Sequence, residues 1–105
     1  DLQSVAELIA QDKLMEPAYQ SPAGPISPLD ILYGHRPALA AGNLWMAHHS
    51  GFTLRSLMSA VRESGFASVI GRRRPAPAYA LWVIATKTQQ PESALRTLAG
   101  VHFPR

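Results

Sequence analysis

Side chains able to do chemistry gather at three places in this chain. Tyr33-Gly34-His35-Arg36 sets a phenol, an imidazole and a guanidinium side by side. Histidine titrates near neutrality and suits acid–base work or a substrate hydrogen bond. The planar fork of Arg36 suits a carboxylate or a phosphate. The tetrapeptide also reads as a plain helix end, where His35 and Arg36 meet free carbonyls and the negative end of the dipole. On the residues alone that second reading is preferred, because so short a motif has little specificity. His48 and His49 are adjacent, so on any regular element they point different ways. A metal site takes about three or four spaced ligands. The chain has no cysteine and neither HxxxH nor HExxH, so no metal site is expected. One of the two histidines is expected to face a pocket beside Asn43 and Met46. Arg72-Arg73-Arg74 is a possible phosphate footprint, but no aromatic residues interleave with it. The preferred reading is a solvated edge strand, with no nucleic-acid partner. G-x-S-x-G, GxGxxG and a P-loop are all absent. Trp45 and Trp82 are expected in the core.

Composition bounds the rest. The chain has 105 residues, 47% of them hydrophobic and 16% charged, which suits one ordered domain and excludes a disordered tail. Nine prolines and seven glycines imply much irregular backbone. No apolar run reaches membrane-spanning length and no signal peptide is visible, so no membrane partner is expected. Without cysteines there are no disulfide staples and no thiol catalysis. A cytoplasmic protein is the simpler reading.

The elements that must position these residues follow from periodicity. Leu54, Leu57, Met58 and Val61 form one apolar stripe at helical spacing. Thr53 is the expected N-cap and Gly65 the expected left-handed stop, with Phe66 folding back on Val61. ASVIGRRR (Ala67–Arg74) then reads as a cationic edge strand. AYALWVIA (Ala78–Ala85) is apolar on both faces, as in a strand covered on both sides. Pro75 and Pro77 imply a wide loop between them. A two-stranded sheet is marginal alone, so the second edge of Ala78–Ala85 lacks a partner. Upstream, Leu2 to about residue 12 reads as a helix, and Glu16–Pro28 as irregular. Ser27-Pro28-Leu29-Asp30 is a capping box opening a short helix that ends at Gly34. A further helical stretch from Pro37 is interrupted by Gly42. Pro91 opens a last helix, with Gly100 as its stop. The expected fold class is α+β: short helices plus an antiparallel β-hairpin. The whole chain is expected to be one domain, with a helical and loop segment over 1–52, helix plus hairpin over 53–87, and a tail over 88–105.

Helix, Gly-Phe, edge strand, wide loop, apolar strand and Lys87 together resemble the C-terminal end of class I S-adenosylmethionine-dependent methyltransferases. In those proteins a last helix leads to strand six, and antiparallel strand seven returns beside strand five. The preceding block, SPAGPISPLDILYGHRPALAAGNLWMAHHSGF, is similar to small bacterial proteins of that class, most specifically in YGHR and AHHSGF. The likeness spans about Asp1 to Lys87. It implies the C-terminal third of a Rossmann-like methyltransferase fold, with residues 17–51 inserted over the substrate. It places Tyr33, Arg36, Asn43 and His48 as substrate-binding residues and His35 as the catalytic proton acceptor. The glycine-rich first motif and the acidic residue after strand two have no counterpart. S-adenosylmethionine therefore belongs to the parent family, no cofactor-binding residue is assigned, and the chain alone is expected to be inactive. Strand five would cover the open edge of Ala78–Ala85. Without it, the expected partner is a second copy joined at that edge. The alternative function is a non-catalytic dimeric interaction module.

Overall fold

Capping chemistry sets where the helices begin. The computed structural model of the chain describes residues 1–105 and shows a mixed α+β fold with five α-helices and two small antiparallel sheets. The chain divides into two compact units, one of Asp1–Gly51 with Pro75–Tyr79, the other of Phe52–Arg74 with Ala80–Arg105. No helix is long and apolar enough to cross a membrane.

In the first unit, Asp1 caps α1 (Leu2–Ala10), accepting the Gln3 N–H at 3.1 Å and the Ser4 hydroxyl at 2.8 Å. The segment expected to be irregular instead contains a short hairpin, β1 (Tyr19–Ser21) and β2 (Gly24–Ile26), with Tyr19 opposite Ile26. Its turn is possible because Gly24 adopts φ 105° and the Ser21 hydroxyl accepts the Ala23 N–H at 3.1 Å. Pro25 is tolerated there because each strand has one free edge. Ser27 and Asp30 form the anticipated capping box of α2 (Pro28–Tyr33), which Gly34 ends at φ 111°. A five-residue α3 (Arg36–Ala40) follows, then Gly42 at φ 89° and a single 3-10 turn, Leu44–Met46. Val5 and Pro28 are fully buried, and Ile26, Ser4, Ser27 and Asp30 nearly so. They make a small core between α1, α2 and β2.

In the second unit, Thr53 caps α4 (Leu54–Glu63) in a capping box completed by Ser56. The apolar stripe Leu54, Leu57, Met58 and Val61 is half-buried while Arg55, Ser56 and Ser59 are exposed. Gly65 adopts φ 99° just past the helix, as expected of a glycine there. β3 (Ser68–Arg74) and β4 (Ala80–Thr86) pair antiparallel, Ser68 opposite Thr86 and Arg74 opposite Ala80. A Cβ on Gly71 would sit 2.6 Å from Leu54 and 3.2 Å from the Met58 sulfur, so the Gly71 face of the hairpin packs on α4. The neighbouring residue faces the other way. Its side chain, Arg72, lies over the Phe103 ring at 5.9 Å, beside α5 (Glu92–His102). The hairpin thus has a helix on each face, yet no residue of β4 is fully buried. The far edge of β4 pairs with no strand.

Three expectations need correction. β4 starts at Ala80, not Ala78, because Ala78 and Tyr79 turn back to donate to the Pro75 carbonyl and Tyr79 adopts φ 46°. α5 runs through Gly100 to His102, where Phe103 ends it by donating to the Ala99 carbonyl. The tryptophans are not core residues: Trp45 is 97% exposed on the 3-10 turn and Trp82 is 41% exposed on β4.

The close approach of α4 to β3 makes a direct test. Gly71→Val should destabilise the protein by roughly 1–3 kcal/mol through overpacking. Urea unfolding followed by far-ultraviolet circular dichroism would show a lower midpoint. An unchanged midpoint would contradict this packing.

Candidate functional site

The first unit holds a cleft of about 340 Å³ between the β1–β2 hairpin, α2 and the segment after the 3-10 turn. Its apolar wall is Ala23, Ile26, Ile31 and Met46, and its polar groups come from Tyr19, Ser21, Asp30, His35 and His48.

Asp30 supports this cleft from beneath. Its Oδ2 accepts the Ser27 N–H at 2.9 Å and the Ser27 hydroxyl at 2.8 Å. Its Oδ1 accepts the Arg36 backbone N–H at 3.1 Å and the Arg36 Nε–H at 2.8 Å. Arg36 reaches further with Nη2, which donates to the Ser27 hydroxyl at 3.2 Å. The Arg36 guanidinium beside Asp30 holds the carboxyl far below the usual carboxylate range; burial opposes this, and the backbone N–H groups of Ser27 and Arg36 reinforce it. Asp30 is therefore a fixed anion with every lone-pair direction engaged. It closes the N-terminus of α2 and supplies the N-terminal partner of α3, whose N-cap, His35, makes no side-chain capping bond.

His48 is placed by the other end of α2. Its backbone N–H donates to the Tyr33 carbonyl at 3.1 Å, and its ring Nδ1 lies 2.8 Å from the Ile31 carbonyl. Both carbonyls belong to the last turn of α2, where carbonyls lack helical partners. A carbonyl can only accept, so Nδ1 carries the proton, and in the neutral ring Nε2 is left as an acceptor. The approach requires Gly34. A Cβ there would lie 2.0 Å from the Met46 carbonyl oxygen and 3.2 Å from the Ala47 Cα.

The cleft therefore brings together His35 and His48 among the residues singled out in the sequence. Tyr33 is 60% exposed and, like Asn43, does not line it. Arg36 is likewise off the lining, its fork turned to Asp30 and Ser27. The free carbonyls of α2 are met by His48, not by His35 and Arg36 as the helix-end reading had it. Tyr19, Ser21 and Ile26 were missed as site residues because the hairpin carrying them was read as irregular. No group of three or more His, Cys, Asp or Glu gathers to hold a metal ion. Arg72 of the arginine triplet lies over Phe103, while Arg73 and Arg74 are half-buried. Compared with protein-family models, with curated proteins and with solved structures, the chain matches none.

Two tests follow. Ser27→Ala should cost roughly 1 kcal/mol through the lost cap, and Asp30→Ala more, since it strips partners from two helix starts at once. Because the Asp30 carboxyl is depressed in the folded state, its contribution is present above about pH 4 and is lost as pH falls through that value toward the folded pKa. The urea midpoints of the native protein and Asp30→Asn should thus differ most near neutrality and converge in acid, as read by circular dichroism. Gly34→Ala should destabilise by at least about 1–3 kcal/mol, given its positive φ and the Met46 backbone against it. It should also shift the His48 resonances in nitrogen-15 spectra.

Proposed function

We propose that this chain is the C-terminal, substrate-side part of a class I S-adenosylmethionine-dependent methyltransferase. The observation that carries the reading is the second unit: α4, Gly65-Phe66, β3 and β4 in that order, with helices on both faces and the far edge of β4 unpaired. In the methyltransferase fold that edge receives strand five. The cleft of the first unit is then the acceptor side, with His35 and His48 as its chemistry-bearing groups. Arg36 keeps a supporting part on this reading by holding Asp30 in place, while Tyr33 and Asn43 lie off the lining. Nothing in the chain corresponds to the glycine-rich cofactor cradle, so no residue here is assigned to S-adenosylmethionine.

A second reading is favoured by the same open edge. An unpaired, apolar strand edge invites another strand. The chain on its own would pair β4 with β4 of a second copy and act as a dimeric interaction module without catalysis.

The gene decides between them. On the first reading, the codons before Asp1 encode a glycine-rich strand–turn–helix, and the longer product binds S-adenosylmethionine with micromolar affinity by calorimetry while this chain gives no heat. Heat from this chain alone would overturn the assignment of the cofactor site to upstream sequence. The second reading predicts a dimer in sedimentation at micromolar concentration; a monomer there removes it.

A further inference from the structure

We propose that the cleft of the first unit binds a small neutral ligand with an apolar body and one hydroxyl, phenol being the simplest case, whose O–H donates to His48 Nε2. Its volume of about 340 Å³ lies at the small end of ligand sites. The polar atoms of the lining that remain open set the ligand's chemistry. Both Asp30 oxygens accept from Ser27 and Arg36. The Ser21 hydroxyl donates to the Gly24 carbonyl at 2.9 Å and accepts from the Ala23 N–H. The Tyr19 hydroxyl and the His35 ring hold no hydrogen bond and can turn to donate or accept, whereas the His48 Nδ1–H is fixed on the Ile31 carbonyl, so in the neutral ring its Nε2 accepts. A fixed acceptor selects a donor on the ligand.

The remaining wall excludes other classes. The lining contains no lysine or arginine, and it contains the Asp30 charge, so a carboxylate or phosphate has no counter-ion there. Ile26, Ile31 and Met46 offer an apolar surface, and a methionine sulfur contacts an aromatic ring favourably. On the methyl-transfer reading this hydroxyl is the methyl acceptor, and His48 rather than His35 is the group that receives its proton. Binding itself does not depend on that reading.

The test uses the full chain and two probes, p-cresol and toluene, which share a methyl-bearing ring and differ by the hydroxyl. Long-range proton–nitrogen spectra at alkaline pH should show His48 in the Nδ1-protonated neutral form. Titration with p-cresol should move the His48 Nε2 resonance saturably, with a dissociation constant of about 1 mM for so small a ligand. Toluene should bind at least about tenfold more weakly, roughly the worth of one hydrogen bond. His48→Asn keeps a donor for the Ile31 carbonyl but leaves no acceptor at the Nε2 position, its own amide oxygen lying nearer the backbone, so it should weaken p-cresol about tenfold and leave toluene unchanged. An Nε2-protonated tautomer, equal affinity for the two probes, or no saturable shift by ~10 mM p-cresol overturns the proposal without any variant. Failure here would leave methyl transfer standing with another acceptor. Failure of the longer product to bind S-adenosylmethionine would leave this cleft untouched.

Discussion

Asp30 accepts hydrogen bonds from both sides of a chain reversal, and the first unit depends on it. Three elements meet on one buried carboxylate: the end of β2 through Ser27, the start of α2 through the capping box, and the start of α3 through Arg36. A buried anion is costly unless every oxygen is hydrogen-bonded and a cation lies beside it. Both conditions are met here. The result is that α2 stands at a set angle to the hairpin before it, which opens the cleft, and its last carbonyls face outward, where His48 collects them.

The two histidines of the cleft illustrate how one helix can place different groups by different ends. His35 follows the C-cap glycine of α2 and begins α3, so its position is a matter of chain continuity. His48 arrives from later in the chain and is placed by hydrogen bonds alone, across a contact that only glycine permits at position 34. The same device recurs in the second unit, where Gly71 lets Leu54 and Met58 of α4 settle onto β3. In each case a missing side chain sets the distance between two backbones or between a helix and a sheet.

Local signals were legible in the sequence. Ser27 and Asp30, Thr53, and Gly65 each act through neighbours within one turn, and each appears where side-chain chemistry puts it. The apolar run of β4 implied a strand inside a sheet, whereas β4 pairs with β3 alone and none of its residues is fully buried. What was not legible depended on distant partners or on backbone geometry. Gly100 looked like a stop, yet its φ is not positive and the helix continues because Phe103 is buried further on. The three-residue strands of β1 and β2 are too short to show alternation, and prolines mask them. The role of His48 as a cap for α2 needed a contact between Gly34 and Met46 that no local pattern announces. Hydrophobicity alone put Trp45 inside, and the 3-10 turn holds it out.

That last residue has an optical consequence. The chain has two tryptophans, Trp45 in the first unit and Trp82 in the second. Trp45 is already in water, so its emission is nearly the same whether its unit is folded or not. Trp82, 41% exposed, loses its remaining cover when the hairpin opens. Intrinsic fluorescence therefore reports the hairpin unit and is nearly blind to the unit that contains the cleft; two molecules with equal emission spectra can differ in whether the cleft exists at all.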